Sequence, residues 1–150
     1  DFSNVATYLD RPEVRTALGV GKRKWSGGNH AVALEFELAG DWMKSFQMMI
    51  PDQLESGIRV LIYAGDQDYI CNWLGNQAWT QALPWSHQAD FNTTKPVNWT
   101  DSTMSEAGGT IQQSNGFTFL RVFNAGHMVP RDQPEQALAM INAFTANTLK

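Results

Sequence analysis

Apolar residues follow two rhythms along this chain, and the switches between them predict its elements. Between His30 and Ile50, the residues Val32, Phe36, Ala39, Met43, Phe46 and Ile50 recur at three- and four-residue steps, the spacing of one helix face. Gly40-Asp41 is a candidate interruption, and Pro51 is expected to close that helix. The run IRVLIYA at 58–64 is nearly continuous in apolar character and rich in β-branched residues, which predicts a strand buried on both faces of a parallel sheet. LGNQAWTQAL at 74–83 predicts a helix stopped by Pro84. A second core strand is predicted over FTFLRVF, joined to TIQQS by Asn115-Gly116, a dipeptide that favours a tight hairpin. The segment from Glu135 to Leu149 places Ala137, Leu138, Ile141 and Phe144 on one helix face, with Asp132 as its candidate cap.

Two further stretches complete the order. RPEVRTALGV has Pro12 in the first turn of a short helix that ends near Gly19, and GVGKRKWSGGN reads as a Gly-rich surface loop. From about Ser86 to Thr110 the composition turns polar, which predicts a loop excursion. Strand, helix, excursion, strand, turn, helix is an α/β pattern.

Composition narrows the picture. The 150 residues are 43% hydrophobic with six tryptophans and eight phenylalanines, enough for one core and not two, so one domain or part of one is expected. Fifteen acids against eleven bases give a net charge of -4, and the bases are scattered apart from Lys22, Arg23 and Lys24. That distribution is no nucleic-acid footprint. The longest apolar runs are too short to span a bilayer and no signal segment opens the chain, so a soluble chain is expected, either mature or cut out of something longer. Asn92-Thr93-Thr94 and Asn98-Trp99-Thr100 are glycosylation acceptor triplets in the polar stretch and point to passage through a secretory pathway. Cys71 is the single cysteine, so no disulfide within the chain is available.

Candidate chemistry collects at two strand ends. In open α/β sheets, ligands and catalysis gather outside the carboxyl ends of strands. Asp66 and Asp68 follow the first predicted strand, and His127 follows the second in a turn containing Gly126. A carboxylate and an imidazole on two loops at one sheet edge can meet. Asp-x-Asp also occurs in calcium loops, but Ile70 and Cys71 break the alternating oxygen ligands such a loop needs, and no metal or cofactor is expected. Asp66 reads as a structural turn residue bonding loop amides. His30 and His87 have no chemical company in sequence and read as surface or helix histidines.

Over nearly its whole length the chain resembles the C-terminal part of the serine carboxypeptidases, in the wording of their vacuolar, carboxypeptidase Y-like members. The resemblance rests on TYLDRPEVRTALGV, AGDWMKSF, IYAGDQDYICNWLGNQAWTQALPW, VNWT and LRVFNAGHMVP. It implies the C-terminal portion of an α/β-hydrolase fold, a mixed and mostly parallel sheet flanked by helices, with residues 1–50 as a helical cap or flanking segment and 58–150 as the part carrying the acid and base. It also implies that Asp68 is the acid and His127 the base of a Ser-Asp-His triad hydrolysing C-terminal residues from peptides. The order acid then base agrees with the layout of that fold. Ile70 and Cys71 carry over to the pocket for the residue before the scissile bond, as does Trp42, and Met128 carries over to the pocket of the leaving residue. Vacuolar, lysosomal or secreted residence follows from the same resemblance.

No serine of the chain sits in a G-x-S-x-G setting, the sharp turn that exposes the nucleophile in this fold. The expectation is therefore the smaller chain of a two-chain enzyme, or a fragment of a single-chain one, partnered by the nucleophile-bearing half. The family's further cysteines have no counterpart in Lys22–Asn29, so non-covalent association is expected. Two alternatives remain open at this point: a non-catalytic binding or scaffold domain built on the half-fold, and an esterase or acyltransferase of the same fold.

Overall fold

The structure is a computed structural model that describes residues 2–101 and 104–150. The chain forms two compact units, Asp1–Lys44 and Ser45–Lys150. The first unit is helical, with α1 (Ser3–Leu9), α2 (Pro12–Ala17) and α3 (His30–Leu38). Pro12 opens α2, where its missing N–H leaves nothing unsatisfied, and the Asn29 side chain caps α3 by accepting the N–H groups of Ala31 and Val32. The long helix expected from 30 to 50 is not formed. It stops at Leu38 because Gly40 takes a left-handed conformation (φ 65°), and the turn Asp41–Met43 follows.

The second unit begins with α4 (Ile50–Glu55), whose first turn contains Pro51. Pro51 therefore opens a helix, where the sequence pattern had it closing one, because a first-turn residue needs no N–H partner. Next come β1 (Val60–Gly65), α5 (Trp73–Ala82), α6 (Gln88–Thr93), β2 (Val97–Trp99), β3 (Gly109–Ser114), β4 (Phe117–Val122), α7 (Val129–Asp132) and α8 (Pro134–Thr145). The sheet order is β1-β4-β3-β2. Only β1 and β4 run parallel, and the β4–β3 and β3–β2 ladders are antiparallel, so the sheet is mixed.

The Asn115-Gly116 hairpin forms as the sequence indicates: both residues have positive φ (47° and 84°), and Ser114 faces Phe117 across it. Successive side chains of β4 point to opposite faces, so this strand feeds two cores. Phe117 and Phe119 pack with Leu54, Leu83 and Phe91 on one face, while Leu120 and Val122 pack with Trp99, Ile111, Val129, Ala137 and Met140 on the other.

Several expectations change here. The stretch from Ser86 to Thr110 is not simply a loop: it contains α6 and β2, because Phe91 and Trp99 are large aromatic anchors buried in opposite cores. β1 is half-buried and not enclosed on both faces, with Tyr63 exposed, because it is an edge of the described sheet. On α8 the buried positions are Ala137 and Met140, while Leu138 and Ile141 are 61% and 48% exposed. Asp132 is not the cap of α8, which starts from Gln133; it ends α7, and its carboxylate accepts the Gly126 N–H instead.

Candidate active site

Because β1 and β4 run parallel with Gly65 beside Val122, their carboxyl ends open at the same sheet edge. The backbone continues the pairing past the strands: the Asp66 N–H donates to Val122 O (2.9 Å) and the Gln67 N–H to Ala125 O (2.9 Å). This lays the loop bearing Asp68 directly on the turn bearing His127. A glycine at position 65 permits the approach, since a β-carbon there would lie 2.2 Å from Ala125 O and 2.5 Å from Gly126 O.

The two chemistry-bearing side chains meet in that contact, with His127 Nδ1 lying 3.0 Å from Asp68 Oδ2. The other carboxylate oxygen, Oδ1, accepts the N–H groups of Ile70 (3.0 Å) and Cys71 (3.1 Å). Asp68 is 9% exposed, whereas the His127 side chain is 60% exposed. Desolvation pushes the Asp68 carboxyl upward, but the His127 hydrogen bond, the Cys71 amide, the His127 charge and the Ile70 amide outweigh it, and its pKa lies below the ordinary value. Asp68 is thus ionised at neutral pH and can only accept. Nδ1 must carry the proton in this bond, which leaves the lone pair of a neutral imidazole on Nε2.

Neighbouring groups fix both ends. On the acid side, Asn72 caps α5 by accepting the Gly75 N–H (2.8 Å), which anchors the segment following Cys71. On the base side, Asp132 Oδ2 accepts the Gly126 N–H at 2.8 Å, one residue before His127. Asp66 accepts loop amides as its sequence setting indicates, with Asn124 N at 2.8 Å, and it also pairs with Arg121. Gly65, Asn124, Arg121 and Asp132 are the supporting residues that pattern reading did not assign to the site. Only the glycine next to Asp66 and the φ-tolerant asparagine in the turn carried a local signal.

Ile70 (77% exposed) and Cys71 stand on the loop after Asp68, and Met128 stands beside His127; all three are exposed and none is a core filler. Trp42 belongs to the first unit, in the turn Asp41–Met43, and is 74% exposed. His30 opens α3, and His87 bonds Asp90 at 3.0 Å, so neither joins Asp68. Asn98 is exposed on the edge strand β2, while Asn92 on α6 donates through its amide to Gln81 O (3.0 Å).

Asp68, Cys71 and His127 offer an oxygen, a sulfur and a nitrogen within 4.8 Å of one another. Both Asp68 oxygens and His127 Nδ1 already satisfy each other and the loop amides, so a cation using these atoms would have to break that relay. The arrangement can orient an imidazole, stabilise its positive form and present Nε2 as a proton acceptor.

Comparisons with known proteins point to one family. The serine carboxypeptidase family profile matches residues 1–147. Carboxypeptidase Y of Saccharomyces cerevisiae is 44% identical over 143 residues, covering 95% of this chain and 27% of that enzyme. Carboxypeptidase Y of Candida albicans is 47% identical, over 95% of this chain and 26% of its own length. A vacuolar serine-type carboxypeptidase of S. cerevisiae is 43% identical, over 93% of this chain and 28% of its own length. In three dimensions the chain is similar to the crystal structure of a prohormone-processing carboxypeptidase from S. cerevisiae, with a TM-score of 0.80 and 27% identity over 97% of this chain and 32% of that one. That likeness bears out the expected α/β-hydrolase portion. The chain spans about a quarter of the length of the curated relatives it matches.

Proposed function

The chain belongs to the serine carboxypeptidase family, and from that membership we propose that it supplies the acid and base of a serine carboxypeptidase whose nucleophile lies outside these residues. The observation that carries this reading is the bond from His127 Nδ1 to Asp68, whose second oxygen is pinned by two amides. In the proposed reaction, His127 Nε2 takes the serine proton as Oγ attacks the carbonyl of the last peptide bond. The imidazolium is stabilised by Asp68 and then protonates the departing amino acid. A water molecule, deprotonated by the same nitrogen, hydrolyses the acyl-serine. Positioned acid–base help of this kind is worth roughly 10²- to 10⁴-fold.

Pocket roles are assigned on resemblance and position. Ile70 and Cys71 would contact the residue before the scissile bond, since both are exposed next to the acid. For Trp42, in the first unit, a substrate-contacting role is proposed on resemblance alone. Met128, exposed next to the base, would contact the leaving residue, where a flexible thioether adapts to many side chains.

The nucleophile-bearing part is the proposed partner. Among the described residues, β1 pairs only with β4, leaving its other edge open. Beside it runs an apolar groove of about 640 Å³ lined by Val60, Leu61, Tyr63, Leu138, Ile141 and Phe144. A helix with apolar residues on two sides is built to be covered on two sides. Association by apolar area needs no disulfide, and Cys71 is free. Among the described residues no helix is long and apolar enough to cross a membrane. Residence in a vacuole or elsewhere on the secretory route is proposed from the vacuolar relative and the two acceptor triplets.

The test is release of C-terminal amino acids from an amino-blocked dipeptide by the complete protein. Asp68→Ala and His127→Ala should each lower turnover per folded molecule by at least about 10²-fold while still melting cooperatively. Near-normal turnover in either variant would refute the assignment. A scaffold that has lost catalysis would show no turnover in the unmodified protein.

A further inference from the structure

We infer that Asp66 is a positioning residue for the Asp68–His127 pair, holding the histidine-bearing turn against the acid-bearing loop; this rests on the functional reading above. Its side chain is almost buried, and each oxygen grips a different part of the second strand's end. Oδ1 accepts the Asn124 N–H at 2.8 Å, and Oδ2 accepts Arg121 Nη2 at 3.3 Å.

Asn124 is a place where such a grip is needed. Its φ is 56°, in the left-handed region that residues with a β-carbon seldom enter, asparagine more readily than most. Conformations of this kind persist where their surroundings over-determine them. Here Asp66 holds the Asn124 N–H, and Gln133 Nε2 donates to the Asn124 carbonyl at 3.1 Å. The turn is then fixed at both ends, by Asp66 at Asn124 and by Asp132 at Gly126, with His127 next in line.

Arg121 extends the clasp to the other loop. Its guanidinium lies 4.0 Å from the Trp73 ring centroid and 5.2 Å from that of Phe123. Trp73 is the first residue of α5, two positions after Cys71, so the chain that leaves the acid-bearing loop is held by the group that Asp66 neutralises. The pairing also gives two nearby carboxylates different partners, with Asp66 matched to Arg121 and Asp68 to His127.

The experiment compares Asp66→Ala, Asp66→Asn and Asp66→Glu in the complete protein. Turnover of a blocked dipeptide is measured alongside the downfield NMR resonance of the His127 Nδ1 proton. Asp66→Ala should lose on the order of 10²-fold in kcat, the effect of misplacing a reacting group by about 1 Å, with KM nearly unchanged. The His127 resonance should broaden or vanish. Asp66→Asn keeps an acceptor for Asn124 and should recover most of both signals. Asp66→Glu keeps the charge but moves the carboxylate by a methylene; it should lose kcat while melting normally, and it carries the test if the alanine variant does not fold. A lower melting temperature with wild-type kcat per folded molecule and an unaltered resonance would overturn the proposal, as would a fall in kcat with the resonance intact. If the unmodified protein has no peptidase activity but the resonance responds as described, the functional reading fails and the positioning role stands.

Discussion

Gly65→Ala is the substitution that most directly probes how the two loops meet. The added β-carbon would sit 2.2 Å from Ala125 O, and ordinary contact starts at 3.4 Å, so the loops must separate by about 1.2 Å. Backbone atoms, not a flexible side-chain tip, lie in the way. An opening of that size would lengthen the 2.9 Å bond from Gln67 N–H to Ala125 O and the 3.0 Å bond between His127 and Asp68 beyond hydrogen-bond range. Misplacement of a catalytic group by about 1 Å is worth on the order of 10²-fold in rate. Overpacking adds a stability cost of about 1–3 kcal/mol. The assay is turnover per folded molecule on a blocked dipeptide, with thermal unfolding followed by circular dichroism. Turnover within about twofold of wild type, with an unchanged melting curve, would show that the loops do not abut at Gly65 and would refute the geometry.

Other consequences are independent of that contact. The Asp68 pKa is lower in the folded protein than in the unfolded chain, so its contribution to stability is fully present above the unfolded value near 3.9 and is lost as pH falls through the lower folded value. Melting temperatures measured from about pH 5 to pH 2 should therefore fall less steeply in Asp68→Asn than in wild type; parallel slopes would contradict it. Gly116→Ala places a side chain at φ 84° in the hairpin and should cost about 1–2 kcal/mol in stability with unchanged kcat, read by melting and turnover together. Phe91→Ala empties a fully buried aromatic site and should cost about 3–5 kcal/mol; a loss below 1 kcal/mol would argue against its place in the core. For protein made in a eukaryotic secretory pathway, Asn98→Gln should remove one glycosidase-sensitive mobility step, since Asn98 stands exposed on the edge strand. No mobility change would exclude a glycan there.

Much of the framework could be read from local chemistry. The hairpin needed only Asn115-Gly116 between apolar runs, because both positions require positive φ. α5 and β4 were similarly marked by Pro84 and by the run FTFLRVF. The proximity of Asp68 and His127 followed from their places after two strands, and their proposed roles followed from the resemblance. What escaped were features decided by long-range packing. Pro51 can close one helix or open the next with the same local sequence, and Gly40 chose between them. The periodicity of α8 did not tell which of its apolar sides faces the core of this chain. The polar composition around Phe91 and Trp99 hid two anchors that fix α6 and β2. Asp132 looked like a helix cap because caps are local, but its partner is the amide of Gly126 across the turn. The left-handed Asn124 and its Asp66 grip likewise join residues 58 positions apart.

In the proposed reaction, His127, oriented by Asp68, activates a serine carried outside these residues. The most direct test is labelling of the complete protein with a tagged fluorophosphonate, which is trapped by an activated serine, followed by mapping of the tag. The tag should fall on a serine outside these 150 residues, and it should be lost in His127→Ala protein that still melts cooperatively. Undiminished labelling in that variant would contradict the proposed reaction.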